Sequence, residues 1–283
     1  MVEERGIEIK EVEPRAKILF LNFSPGKEPH IRMAQEMFGS SETSVDKFAQ
    51  MASLEANVPT REEEPDTLKR ESVAKLDLPE SVSGFKGIVI TGSPFAAYPR
   101  ETDDNRLFLA AWKNELFTFI RAAVEKNVPI LGICFGGQVL AEALGGKVEK
   151  MKSSRGEPYE TGWARIYRTG GTNDPVLQGI QGEFVAAENH EDVITRLPEG
   201  AILLADNEYG VQVFRYKKAW GFEFHPERLP ETVGQQLKVK VRRERMKGLG
   251  QDPDANRKLG EEYDPNIRTI FRNFLHYAWK GVQ

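Results

Sequence analysis

Three short apolar runs, each stopped by turn residues, constrain this chain more than anything else in it. Lys17-Ile18-Leu19-Phe20-Leu21-Asn22-Phe23 ends at Ser24-Pro25-Gly26, and Gly87-Ile88-Val89-Ile90-Thr91 ends at Gly92-Ser93-Pro94. The third, Val128-Pro129-Ile130-Leu131-Gly132-Ile133, runs straight into a cysteine. Runs this short and this uniformly apolar read as strands buried on both faces, as in parallel sheets. Between the second and third, residues 103–126 place Leu109, Trp112, Leu116, Phe119 and Ala123 at three- and four-residue steps, an amphipathic helix. Residues 137–144 read as another helix. Strand, helix, strand, tight turn, helix predicts an α/β fold: an open, mostly parallel twisted sheet with helices on both faces.

Beyond about residue 160 the pattern turns β-like, which predicts a small β-rich extension. The strand candidates are Trp163–Tyr167, Ala201–Leu204, Val211–Phe214 and Ala219–Phe224, separated by turns such as Pro198-Glu199-Gly200. Residues 36–84 are polar and read as an elaborated connection. Residues 228–268 are charge-rich; Lys238, Lys240, Arg242, Arg243, Arg245 and Lys247 read as a solvated helix face rather than a polyanion site. Ile270, Phe271, Phe274, Leu275 and Trp279 have helical spacing and should pack on the core.

The net charge of −4 supplies no field that draws the chain to nucleic acid or an anionic membrane. There is no apolar run of about 18 residues to cross a bilayer. Met1-Val2-Glu3-Glu4-Arg5 lacks the apolar stretch of a secretory signal. A single cysteine forms no internal disulfide and fits a reducing cytoplasm. No group of histidines and carboxylates has ligand spacing, so neither metal nor cofactor is expected.

That cysteine sits in Gly132-Ile133-Cys134-Phe135-Gly136-Gly137-Gln138. A G-x-C-x-G pattern after a buried strand and before a helix is a nucleophile elbow with cysteine in place of serine. The turn is so tight that side chains at Gly132 and Gly136 would clash. Its backbone is expected to be strained at Cys134, and the helix N-terminus is expected to favour the thiolate and lower its pKa. The N–H of Phe135 would face a developing oxyanion.

A cysteine nucleophile of this kind needs a base, and the base an orienting partner. Of four histidines, His30 lies in a polar stretch, His276 on the last helix and His190 after Glu188-Asn189. His225, in Phe224-His225-Pro226-Glu227, is the candidate base. Residues i and i+2 of an extended chain point the same way, so Glu227 can accept the Nδ1–H of His225 and leave Nε2 for the thiol.

Together these motifs resemble class I (triad-type) glutamine amidotransferase domains. Glu160-Thr161-Gly162-Trp163, Asn189-His190-Glu191-Asp192-Val193, Leu197-Pro198-Glu199-Gly200-Ala201 and Thr91-Gly92-Ser93-Pro94 match further pieces of the family pattern, over roughly residues 15–228. The resemblance implies a flavodoxin-like single domain over 1–283, with its core at about 15–228 and a charged, helical extension at 229–283. It implies a triad of Cys134, His225 and Glu227, an oxyanion hole from Gly92 and Phe135, and substrate contacts from Gln138, Gly162, Trp163 and His190. The expected chemistry is hydrolysis of a γ-amide through a γ-glutamyl thioester.

Two positions depart from the family pattern. Gly137 stands where His is common, and Glu223 where Gln is common. Gly137 is expected to leave room beside the nucleophile and Glu223 to add charge, so a γ-glutamyl compound other than glutamine stays open. No P-loop or other phosphate-binding glycine signature is present, so any ammonia released would pass to a separate synthetase subunit. The competing readings are that glutaminase subunit, a catalytically silent binding or regulatory module on the same fold, and a redox or chaperone-type cysteine-elbow protein.

Overall fold

The computed structural model of the protein describes residues 17–22, 54–55, 78–93, 96–98, 106–152, 159–169 and 173–280. The expected turn at Ser24-Pro25-Gly26, His30, Pro94 and most of the 36–84 connection lie outside the described residues.

The chain builds one large sheet. Its first half is parallel: β1 (Lys17–Asn22), β2 (Leu54–Glu55), β3 (Phe85–Ile90), β4 (Ile130–Ile133) and, much later, β11 (Ala219–Phe222). β1 lies between β2 and β3, and β4 between β3 and β11, all four pairings parallel. The second half is antiparallel: β10 (Gly210–Tyr216), β9 (Ile202–Asn207), β6 (Glu160–Arg168) and β7 (Glu183–His190) follow β11 in that order. β5 (Lys147–Lys150) and β8 (Asp192–Arg196) form a separate two-stranded ribbon. The β-rich part extends the main sheet from β11 outward.

The three apolar runs are central because both their faces are covered. Leu19, Leu21, Ile88 and Ile90 point to one side, where they meet Leu116, Phe119, Ile120 and Ala123 of α1 (Arg106–Glu125) and Val139 and Leu140 of α2 (Phe135–Ala143). Their neighbours Ile18, Phe20 and Val89 point to the other, against Ile270, Phe271 and Phe274 of the last helix. This is the period-two alternation of a strand with both faces buried.

The C-terminal region folds as α3 (Pro230–Gln236), α4 (Lys240–Gly248), α5 (Pro253–Leu259), two short 3₁₀ turns and α6 (Thr269–Lys280). Val233, Leu237 and Met246 are buried against Trp163, Val185 and Ala187, so this region packs over β6 and β7. Its basic stretch is only partly a solvated face. Lys240 pairs with Glu244 in the open, but Arg242 donates to Thr161 Oγ1 and Asn189 Oδ1, and Arg245 pairs with Glu191. Among the described residues no helix is long and apolar enough to cross a membrane.

Candidate active site

Cys134 stands between β4 and α2 with φ 51° and ψ −113°, a left-handed backbone that non-glycine residues rarely adopt. Sterics hold it there. A Cβ on Gly132 would collide with the carbonyl of Gly136, and one on Gly136 with the carbonyl of Ile90. The Cys134 N–H donates to the Phe222 carbonyl at 2.6 Å, and its own carbonyl accepts from Gln138 N–H at 3.0 Å. The elbow is therefore anchored to β11 on one side and opens the helix on the other.

β11 ends at Phe222, three residues short of His225. The chain then turns, and the His225 N–H donates to the Ala187 carbonyl of β7. Nδ1 of His225 lies 2.6 Å from Oε1 of Glu227. Nε2 is buried and has no hydrogen-bond partner among the described residues. A point one Cβ bond from Gly92 lies 3.1 Å from His225 Cε1 and 3.5 Å from Cys134 Cβ, which sets the imidazole, the cysteine and the Gly92 backbone side by side. Both side chains are 6% exposed.

Burial decides the protonation of the pair. It pushes the Cys134 thiol up from 9.0 to about 12, despite His190, Arg228 and the Phe135 N–H favouring the thiolate. The thiol is thus not acidified as the helix terminus led us to expect: desolvation of a buried anion outweighs the end of a nine-residue helix. Burial and Arg228 hold the His225 imidazole below its ordinary value, with Glu227 opposing. Burial also raises Glu227, but His225 and Arg228 outweigh it and leave that carboxyl below its usual range. At neutral pH the site holds a neutral thiol, a neutral imidazole and a carboxylate.

The other expected residues are more scattered. Gln138 is buried, and its amide donates to Glu223 Oε2 at 2.9 Å. Trp163 N–H donates to Asn256 Oδ1 at 2.9 Å, and Asn256 Nδ2 donates back to the Trp163 carbonyl at 2.8 Å. The backbone of Trp163, one of the expected substrate contacts, is thus occupied by a residue of α5. Gly137 does not leave room beside the nucleophile. A Cβ there would lie 2.7 Å from the Phe222 carbonyl oxygen and 2.9 Å from its nitrogen, so the missing side chain is filled by β11 backbone.

Glu223 is fully buried, in a polar cluster around His190 with Glu160 and Glu188. His190 Nε2 is 2.9 Å from Glu160 Oε2 and 3.2 Å from Glu188 Oε2. Burial raises Glu188 to about 8 and Glu223 to about 7. Burial works against a charged His190, yet its carboxylate neighbours raise it well above its ordinary value. No ligand spacing is visible in the sequence because Glu160 arrives across a strand pair. Sequence reasoning also misses Glu188, Arg228 and Asn256. The one local signal is Glu188 and His190 at i and i+2 on a strand whose preceding residues are apolar.

With this geometry in place, comparisons identify the family. The model of the family Glutamine amidotransferase class-I matches residues 53–240. A GMP synthase [glutamine-hydrolyzing] of Porphyromonas gingivalis is 33% identical over 164 residues, 56% of this chain but 28% of that protein. The enzyme of the same name from Aquifex aeolicus is 35% identical over 156 residues, 53% of this chain and 26% of the relative. This chain therefore spans only about a quarter of the length of these relatives. Among solved structures, a glutamine amidotransferase from Thermotoga maritima shares the fold with a TM-score of 0.65 at 20% identity, over 94% of this chain and 99% of that one. The elbow, the order of strands and the match over most of the chain lead to one conclusion: this protein belongs to the class I glutamine amidotransferase family.

Proposed function

We propose that the chain is a cysteine-dependent amidohydrolase that cleaves the side-chain amide of glutamine, or of another γ-glutamyl compound, with Cys134, His225 and Glu227 as its triad. The observation that carries this reading is the elbow at Cys134 with the His225–Glu227 pair packed beside it.

Cys134 Sγ attacks the γ-carbonyl carbon while its proton passes to His225 Nε2. Backbone N–H groups of Gly92 and Phe135 donate to the oxyanion. The C–N bond breaks as Nε2 returns the proton to the leaving nitrogen, giving ammonia and a γ-glutamyl thioester on Cys134. Water, deprotonated by the same nitrogen, then attacks; the C–S bond breaks, the thiol recovers its proton, and glutamate leaves. Glu227 fixes the tautomer with Nδ1 protonated and stabilises the imidazolium. Residues 15–228 carry the chemistry in this reading. A free thiol nucleophile suits the cytoplasm.

The second reading is a glutaminase subunit that hands ammonia to a separate synthetase. It is supported by relatives named GMP synthase [glutamine-hydrolyzing] that extend far beyond the matched region.

The experiment is glutamate and ammonia release from L-glutamine by the purified chain beside its Cys134→Ala variant. Release by the wild type alone is expected, and equal release by both would overturn the assignment of the nucleophile. A subunit would show a low basal rate that rises when its synthetase and acceptor are added.

A further inference from the structure

Close to Cys134, the antiparallel half of the sheet buries three carboxylates against one imidazole. No lysine or arginine among the described residues pairs with any of them. Glu160 opens β6 and is directly opposite His190, the last residue of β7. Glu188 is two residues before His190 and faces the same way. Glu160, Glu188 and His190 are each at least 96% buried, and each offers one ligand-type atom within 4.8 Å of the others.

The tautomer of His190 makes this grouping informative. Nδ1 lies 2.7 Å from the Asp192 carbonyl oxygen, an acceptor only, so Nδ1 carries a proton. In the neutral ring Nε2 then presents a lone pair to two carboxylate oxygens, at 2.9 and 3.2 Å. Three such lone-pair atoms repel unless a proton or a metal ion lies between them. A histidine whose second nitrogen donates to a backbone carbonyl is the usual arrangement of a metal ligand. Bonds of about 2.1 Å to a divalent ion put neighbouring ligand atoms roughly 3.0 Å apart in an octahedron and about 3.4 Å in a tetrahedron, close to the 2.9 and 3.2 Å found at His190.

A separate observation also points to a ligand. Oε1 of Glu188, 1% exposed, makes no hydrogen bond among the described residues, and Oε2 has only His190 Nε2, at 3.2 Å. Glu160, by contrast, is held in a fixed orientation. Asn207 Nδ2 donates to its Oε1 at 2.6 Å, and Gln212 Nε2 donates to its Oε2 at 3.1 Å. The Oε1 atom of Gln212 is a further buried oxygen without a partner among the described residues.

We propose that Glu160, Glu188 and His190 form a buried site for one divalent transition-metal ion, Zn²⁺ or Mn²⁺ by the one-nitrogen, two-carboxylate donor set. The ion neutralises the carboxylates and places positive charge near the nucleophile. The competing occupant is a proton, which would make His190 an imidazolium shared between Glu160 and Glu188.

The test uses the full chain carrying Cys134→Ser, which removes the thiol as a ligand. The protein is stripped with a chelator, dialysed against Zn²⁺ or Mn²⁺, and its metal content and melting temperature are measured. One retained equivalent and a raised melting temperature are expected, with affinity falling in Glu188→Gln by more than the roughly 10–100-fold that loss of an outer-shell partner costs. A folded protein that retains no metal overturns the proposal in favour of the imidazolium, and so does retention that Glu188→Gln leaves unchanged. If Glu188→Gln does not fold, Co²⁺ absorption of the Cys134→Ser chain replaces it. Bands of nitrogen–oxygen coordination support the site, and the spectrum of the hydrated ion overturns it.

Discussion

Nδ1 of His225 lies 2.6 Å from Oε1 of Glu227 across a single proline, so the base and its orienting acid come from one turn of chain. The pair forms within the turn that follows β11, and the Ala187 carbonyl of β7 anchors that turn through the His225 N–H. Glu227→Gln keeps the shape but allows the amide NH₂ to donate to Nδ1, which puts the proton on Nε2 and removes the base. We expect kcat for glutamine hydrolysis to fall by roughly 10²–10⁴ with KM nearly constant. A loss below tenfold would remove Glu227 from the triad.

Both partners of the nucleophile pair are neutral near pH 7, and this has opposite consequences on the two sides of neutrality. His225 is held below its ordinary 6.5, so activity should extend into mild acid with the acid limb centred below 6.5. Its folded value lies below its unfolded one, so its contribution to stability is lost as pH falls from 6.5 through that folded value. The Cys134 thiol is raised from 9.0 to about 12, so its contribution is complete below pH 9 and is lost as pH rises from 9 towards 12. The slope is at most about 1.4 kcal/mol per pH unit. Urea midpoints of wild type and Cys134→Ser, whose hydroxyl does not titrate, should diverge only above pH 9. Iodoacetamide should modify Cys134 slowly at pH 7. Rapid modification there would mean a preformed thiolate–imidazolium pair and sink this prediction.

How much is legible in the sequence follows from how local the physics is. Ile18–Leu21, Ile88–Ile90 and Ile130–Ile133 announce themselves because burial on both faces leaves no polar position in the run. The elbow is legible because the close approach of Gly132 to Gly136 admits no side chain. β7 does not read as a strand. Its second half, Ala186-Ala187-Glu188-Asn189-His190, has little strand propensity, and its polar residues are buried only through pairing with β6. Arg242 reads as a surface residue and Asn256 carries no signal, because their partners, Thr161 and Trp163, lie far back in the chain.

Gly137 shows where a family comparison and local packing separate. An added Cβ would press on Phe222 backbone at 2.7 Å, and backbone in a central strand does not yield. Gly137→Ala should cost about 1–3 kcal/mol, as overpacked cores do. Gly234→Ala, where nothing lies within 4 Å inside α3, should be neutral or stabilising by up to about 1 kcal/mol. Urea denaturation of the two variants decides it: equal midpoints would mean that α2 moves freely away from β11.

The last prediction concerns Asn256. β9 pairs with β6 only at Tyr167 and Arg168, so the earlier part of that β6 edge presents unpaired backbone. Asn256 covers it by accepting from the Trp163 N–H and donating to the Trp163 carbonyl. If a substrate carboxylate is to use that N–H, Asn256 must first give it up, and the two compete. Asn256→Ala should therefore lower KM for glutamine several-fold at constant kcat. It should also cost stability of roughly 0.5–1.5 kcal/mol per lost hydrogen bond, because α5 loses its tie to β6. Steady-state kinetics and a thermal melt on the same preparation separate the effects. A lower melting temperature with unchanged KM would make Asn256 a purely structural clamp and move the carboxylate site elsewhere.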